Sequence, residues 1–261
     1  MKLYFAGGLQ KSHSQKLEKL QKKIKILGSY WEANNNAGNI KAFFQHKYAT
    51  NLFIDSGAFS AFTKQASIDL DQYAEFLKAY ANRKSVYASL DVIGDWKATR
   101  RNQEKLEAKG LEPIPTFHFN SPETELKRLV SKYNYIALGG LVPISMQRKT
   151  MQQWLDYCFS IIKTNTKVHG FGVNSLWAWE RYPFYSVDAT SWLMGEKFRR
   201  TIYLENGKVK TSHKNDGIKS IKSMKAHTDK YYEQSLANAE AYLQLEQRVT
   251  KLWESRGVKW D

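Results

Sequence analysis

As far as Asp188 this chain repeats one pattern: a short apolar run that breaks on a carboxylate, a histidine or a glycine. Leu52-Phe53-Ile54 ends at Asp55, Val86 to Leu90 at Asp91, and Pro113 to Phe117 at His118. Tyr135 to Leu138 runs into Gly139-Gly140, Val168 to Phe171 into Gly172-Val173-Asn174, and Tyr185 to Val187 into Asp188. Lys2 to Ala6, before Gly7-Gly8, and Ile24 to Leu27, before Gly28, have the same form. Runs this short between turn residues read as buried strands, about eight in all. Most are followed by a helical stretch, and that alternation implies a parallel sheet. The expected fold is α/β, a (β/α)8 TIM-like barrel over residues 1–195. A doubly wound open sheet is the alternative, although Gly7-Gly8 lacks the third glycine of a dinucleotide-binding turn.

The helices carry their own punctuation. Asp69, with Gln72 three residues on, forms a capping box ahead of the stripe Leu70, Tyr73, Ala74, Leu77. Ser121-Pro122 reads as the cap and first position of another helix, and Gly110 closes the charged helix before it. Met151, Trp154, Leu155, Cys158 and Ile162 share one apolar face, so Cys158 is a core residue.

After Asp188 the composition changes. Residues 196–261 read as a basic extension, with a hairpin from Phe198 to Lys210 turning at Asn206-Gly207. A long amphipathic helix from Tyr231 to Trp253 is expected to pack back on the barrel. Lys197 to Lys230 holds ten Lys or Arg against three acids, within a chain of net charge +15. Such a field draws polyanions, nucleic acid first among them. A single cysteine excludes an internal disulfide and a cysteine-based zinc site. No apolar run is long enough to span a bilayer, and the N-terminus does not read as a signal peptide, so a cytoplasmic setting is expected.

In a barrel the strand ends converge on one face, where such enzymes keep their active sites. Here that face would gather Asp55, Asp91, His118, Gly139-Gly140, Asn174 and Asp188. Any one of the three carboxylates suffices as a structural cap, but three together raise one another's pKa and imply work.

These motifs resemble the tRNA-guanine transglycosylases, a family of TIM barrels. Asp55-Ser56-Gly57-Ala58-Phe59-Ser60 is similar to the family's Asp-Ser-Gly-Gly-Phe/Tyr-Gln stretch. Ser89-Leu90-Asp91 resembles the strand end with its second base-binding aspartate, and Ala137 to Leu141 its Gly-Gly-Leu loop. Val168 to Val173 resembles the strand before its nucleophile, and Ser186 to Ser191 its last barrel strand. The order and spacing agree over about residues 50–192.

The resemblance implies base exchange: a carboxylate attacks C1′ of a guanosine, guanine leaves, and a 7-deazaguanine enters from the same face. The family's nucleophile is the second of two aspartates three apart in its last strand; here the first matches Asp188 and the second is Ser191. Either Asp188 takes over as nucleophile with Asp55 as general acid/base, the preferred assignment, or Asp55 attacks and Asp188 assists. The resemblance implies a base-binding set of Ser56, Gly57, Phe59, Asp91, His118, Gly139, Gly140, Leu141 and Asn174. Phe59 would stack on the base, Asp91 would accept from N1–H and the 2-amino group, and the N–H groups around Gly140-Leu141 would donate to O6. His118 falls where the family usually has glutamine.

The chain departs from the family in three ways. The Cys3His zinc cluster and the C-terminal RNA-binding module are absent, and the second aspartate of the last strand is Ser191. In this it resembles small zinc-free relatives, from phages and some bacteria, that insert 7-deazaguanines such as preQ0 into DNA. The expectation is a DNA guanine transglycosylase with no cofactor and no metal, acting in a bacterial or, if phage-encoded, host cytoplasm. Its partners would be DNA, favoured over tRNA, and the free base. Lys197, Arg199, Arg200, Lys208, Lys210 and Lys214 would grip the polyanion. The same exchange on tRNA, a non-catalytic nucleic-acid-binding barrel, and a small-molecule glycosidase or lyase are the alternatives.

Overall fold

The computed structural model describes residues 1–7, 11–35, 40–141, 144, 147–162, 165–194, 201–205, 208–212 and 230–260. Eight strands form one sheet: β1 (Lys2–Ala6), β2 (Ile24–Ser29), β3 (Ala49–Asp55), β4 (Ser85–Tyr87), β5 (Thr116–His118), β6 (Tyr135–Gly139), β7 (Lys167–Gly170) and β8 (Ser186–Ala189). Their order is β4-β3-β2-β1-β8-β7-β6-β5, and every pairing is parallel. The first and last strands are neighbours, with Tyr4 in register with Asp188.

The sheet is strongly curled. Phe53 on β3 and His169 on β7 have ring centroids 4.5 Å apart, although β2, β1 and β8 lie between their strands. Four strand spacings in a flat sheet would put them about 19 Å apart. The two ends of the order also meet at a parallel bridge between Ala88 and Ile114, where Ser89 N–H donates to Ile114 C=O at 3.0 Å and Ile114 N–H to Tyr87 C=O at 2.8 Å. The all-parallel, curled sheet forms a half-barrel, consistent with a (β/α)8 barrel-like fold.

Strand alternation divides the core in two. Leu3 and Phe5 face outward into a large cluster with helix residues such as Leu77, Leu106, Leu129 and Leu155. Tyr4, Leu27, Phe53, Ala88, Ile114 and Ala137 face inward and pack on one another. Between the strands run α1 (Lys11–Lys19), α2 (Tyr30–Asn35), α3 (Ile40–Phe44), α4 (Ala58–Thr63), α5 (Leu70–Tyr80), α6 (Trp96–Ala108), α7 (Glu123–Lys132), α8 (Arg148–Ile161) and α9 (Leu176–Arg181).

Several local expectations are realised. Asp69 caps α5 by accepting the Gln72 N–H at 2.8 Å, and Gly110 follows α6 with φ +79°. Cys158 is fully buried on α8. Ser121 does not cap α7: Pro122 occupies the cap position without a side-chain bond, and Ser121 N–H instead turns back to His118 C=O at 3.0 Å.

Beyond β8, a 3-10 turn (Ser191–Leu193) leads toward an antiparallel pair, β9 (Thr201–Glu205) and β10 (Lys208–Ser212). The expected turn residues, Asn206 and Gly207, lie outside the described residues. Helix α10 (Lys230–Ser255) lies against β1, β9, α1 and α9. Trp253 Nε1 donates to Trp179 C=O at 2.7 Å and Thr250 Oγ1 to Met1 C=O at 3.0 Å. Glu246 Oε1 accepts Leu3 N–H at 3.0 Å and pairs with Lys25 Nζ at 2.5 Å. Among the described residues no helix is long and apolar enough to cross a membrane.

Candidate active site

The C-terminal ends of the strands open into a cleft of about 770 Å³. Asp55, Asp91, His118, Gly139, Gly140, Leu141, Gly172 and Asp188 line it, with Phe59, Trp96, Phe119 and Phe171 as its aromatic surfaces. Each polar group arrives there for the same reason: an apolar strand is buried by the layers on either side of it, and its first polar residue emerges at the rim.

Asp55 is the last residue of β3 and is half-buried. Its carboxyl is pushed up to about 7, first by burial and then by the negative charges of Asp91 and Asp188. The N–H groups of Gly57 and Ser56 oppose the rise without cancelling it. Near neutral pH this group is therefore divided between its acid and base forms.

Asp91 follows β4 and pairs through Oδ2 with His118 Nε2 at 3.1 Å. Its Oδ1 is buried and has no hydrogen-bond donor. Burial pulls the His118 imidazole down, but the charge and hydrogen bond of Asp91 outweigh it and the pKa is raised. The two glycines beside this pair are steric necessities. A Cβ on Gly139 would stand 2.7 Å from Thr116 Cγ2 and 3.3 Å from His118 Cδ2. Gly140 has φ +71°, and a Cβ there would press on Phe119 N at 3.2 Å.

Asp188, half-buried on β8, accepts the Gly172 N–H at Oδ1 at 3.0 Å. His169 Nε2 lies 3.6 Å from the same oxygen. His169 is fully buried, and its Nδ1 is 2.7 Å from Ser186 Oγ, itself 2.5 Å from Tyr135 OH. No role for His169, Ser186 or Tyr135 follows from motif reading. The available signal is period-two alternation, which turns His169 inward while Val168 faces the helices.

Phe59, 44% exposed, stands at the rim on α4. Ser56 and Gly57 lie behind the rim and shape it. Ser56 is buried and accepts the Ala58 N–H at 3.4 Å, while Gly57, at φ +80°, precedes α4 with Trp31 packed against it. Asn174 does not line the cleft. Its amide is engaged by Ser191 Oγ and by Tyr242 OH, the latter at 3.0 Å, which ties the loop after β7 to α10.

Of the basic residues expected to grip a polyanion, Lys197, Arg199, Arg200 and Lys214 lie outside the described residues. Lys208 begins β10, in register with Glu205, and Lys210 is exposed and ion-paired with Glu205. The hairpin packs on α10. Asn238 on α10 accepts the Ile202 N–H at 2.5 Å and donates to Trp192 C=O at 3.3 Å, two residues past the rim residue Thr190. Among the described residues no group of three or more His, Cys, Asp or Glu is placed to hold a metal ion.

What this arrangement offers chemically is one carboxyl able to give and take a proton near pH 7, a second that accepts one backbone N–H, and a third with an unsatisfied acceptor. No protein-family model and no curated protein matches the chain.

Proposed function

We propose that this chain is a closed (β/α)8 barrel that exchanges guanine in DNA for a 7-deazaguanine base through a glycosyl ester. The bridge between Ala88 and Ile114 supports closure of the barrel. The observation that carries the reaction is the sharing of one cleft by Asp55, Asp91 and Asp188, with Asp55 driven to about 7 partly by the other two charges. Asp188 attacks C1′ and the bond to guanine N9 breaks. The departing purine takes up a proton from Asp55. The incoming base then loses its N9 proton to Asp55 and displaces the Asp188 carboxylate from the same face, so the two half-reactions balance. Asp91 Oδ1 accepts from the purine N1–H and 2-amino group, the N–H groups at Gly140-Leu141 meet O6, and Phe59 stacks on an extruded base.

The experiment is incubation with radiolabelled guanine and either duplex DNA or tRNA. Label is expected in DNA. Label in tRNA alone makes this a tRNA enzyme, and label in neither, with nucleic acid still bound, leaves a binding barrel.

A further inference from the structure

We infer that His169 is the positioning residue for Asp188: with the Gly172 N–H it holds Oδ1, so that Oδ2 alone is presented to the sugar carbon. This rests on the reading of Asp188 as nucleophile, but its geometry stands apart from any substrate. His169 is fully buried, and no hydrogen bond within ordinary reach satisfies its Nε2. Asp188 Oδ1 lies 3.6 Å from it.

The proton on the ring is assigned by what surrounds it. Nδ1 and Ser186 Oγ are 2.7 Å apart, and Ser186 Oγ and Tyr135 OH are 2.5 Å apart. The chain can run in either of two senses. In one, Tyr135 O–H donates to Ser186, Ser186 O–H donates to Nδ1, and Nε2–H points at Asp188. In the other, Nδ1–H donates to Ser186 and a bare Nε2 lone pair faces a carboxylate oxygen. The second sense sets two acceptors against each other in a buried site, whereas the first turns an N–H toward the carboxylate oxygen. The ring stays neutral because burial pushes its pKa down against the pull of Asp188.

Tyr4, Phe53 and Phe171 pack around the imidazole with centroids 6.2, 4.5 and 4.4 Å away. They restrain the ring plane. A neutral N–H donor suits a carboxylate that loses its charge on forming an ester and regains it when displaced. A full positive charge beneath Asp188 would hold the free carboxylate too firmly. Gly172 N–H and His169 Nε2–H converge on one oxygen, which leaves the other to attack.

Ring-nitrogen NMR on protein labelled at histidine tests this, with His169→Gln used to assign the signal. We expect a neutral, Nε2-protonated imidazole between about pH 6 and 8, and a displaced Nε2 signal in Asp188→Asn. An Nδ1-protonated ring, or a signal indifferent to Asp188→Asn, overturns the inference whether or not the protein exchanges bases. In the exchange assay His169→Met, which fills the space without a donor, is expected to lose roughly 10- to 100-fold in kcat. Affinity for the free base should be unchanged, and His169→Gln should recover part of the rate. Equal loss in both variants would also contradict a donor role.

Discussion

Asp91 Oδ2 lies 3.1 Å from His118 Nε2, and the pairing leaves the other oxygen of the same carboxylate buried with no donor. A buried acceptor of this kind costs free energy until a ligand supplies hydrogen. Guanine's N1–H and 2-amino group are such donors. Asp91→Asn, which keeps the shape and removes the charge, is expected to weaken binding of free guanine by roughly 10- to 100-fold. Calorimetric titration with guanine and with hypoxanthine, which lacks the 2-amino group, checks this. The wild type should prefer guanine, and the variant should lose that preference.

Asp55 links the site to stability through pH. Its carboxyl moves from 3.8 to about 7 on folding, so the folded protein holds this proton more tightly than the unfolded chain does. Stability from this group is complete below about pH 4 and is lost as pH rises through about 7. Asp55→Asn should therefore be more stable than wild type by about 2–4 kcal/mol at pH 8, with the gap closing toward pH 4. Urea unfolding at the two pH values measures it. The same variant should lose base exchange, since amide nitrogen cannot carry the proton.

Gly57 and Gly110 make a controlled pair, with φ of +80° and +79°. A Cβ at Gly57 would fall 2.4 Å from Trp31 Cβ, whereas nothing lies within 4 Å at Gly110. Gly110→Ala is expected to cost about 1 kcal/mol, the ordinary left-handed penalty. Gly57→Ala should cost about 2–3 kcal/mol, because the clash adds to it. Denaturant midpoints of the two variants give the comparison.

Glu246 joins α10 to the sheet by holding both Leu3 N–H and Lys25 Nζ, and it is buried. Glu246→Ala strands the amine and the N–H together, so a loss of about 2–4 kcal/mol is expected in thermal or urea unfolding.

The strand ends were legible because apolar runs broken by one polar residue have few other meanings. Asp55, His118 and Gly139 do close β3, β5 and β6. The extents were less legible. The run from Pro113 was expected to be a strand throughout, yet β5 begins at Thr116. Pro113 and Pro115 have no N–H to donate, so only Ile114 between them makes an isolated bridge. Asn174 looked like a strand-end ligand, but its partner Tyr242 is 68 residues away on a helix whose docking no local pattern specifies. His169 was hidden for the same reason: its meaning depends on Ser186, which the β7–β8 register sets opposite it.

The most direct measurement is mass-spectrometric mapping of the covalent adduct captured by rapid denaturing quench of the protein with guanine-containing duplex DNA and no incoming 7-deazaguanine, so that the ester forms and is not displaced by it. A peptide carrying the sugar at Asp188, absent in Asp188→Asn, is the predicted result. An adduct on Asp55, or full exchange by Asp188→Asn, would contradict the assignment on which the proposed chemistry stands.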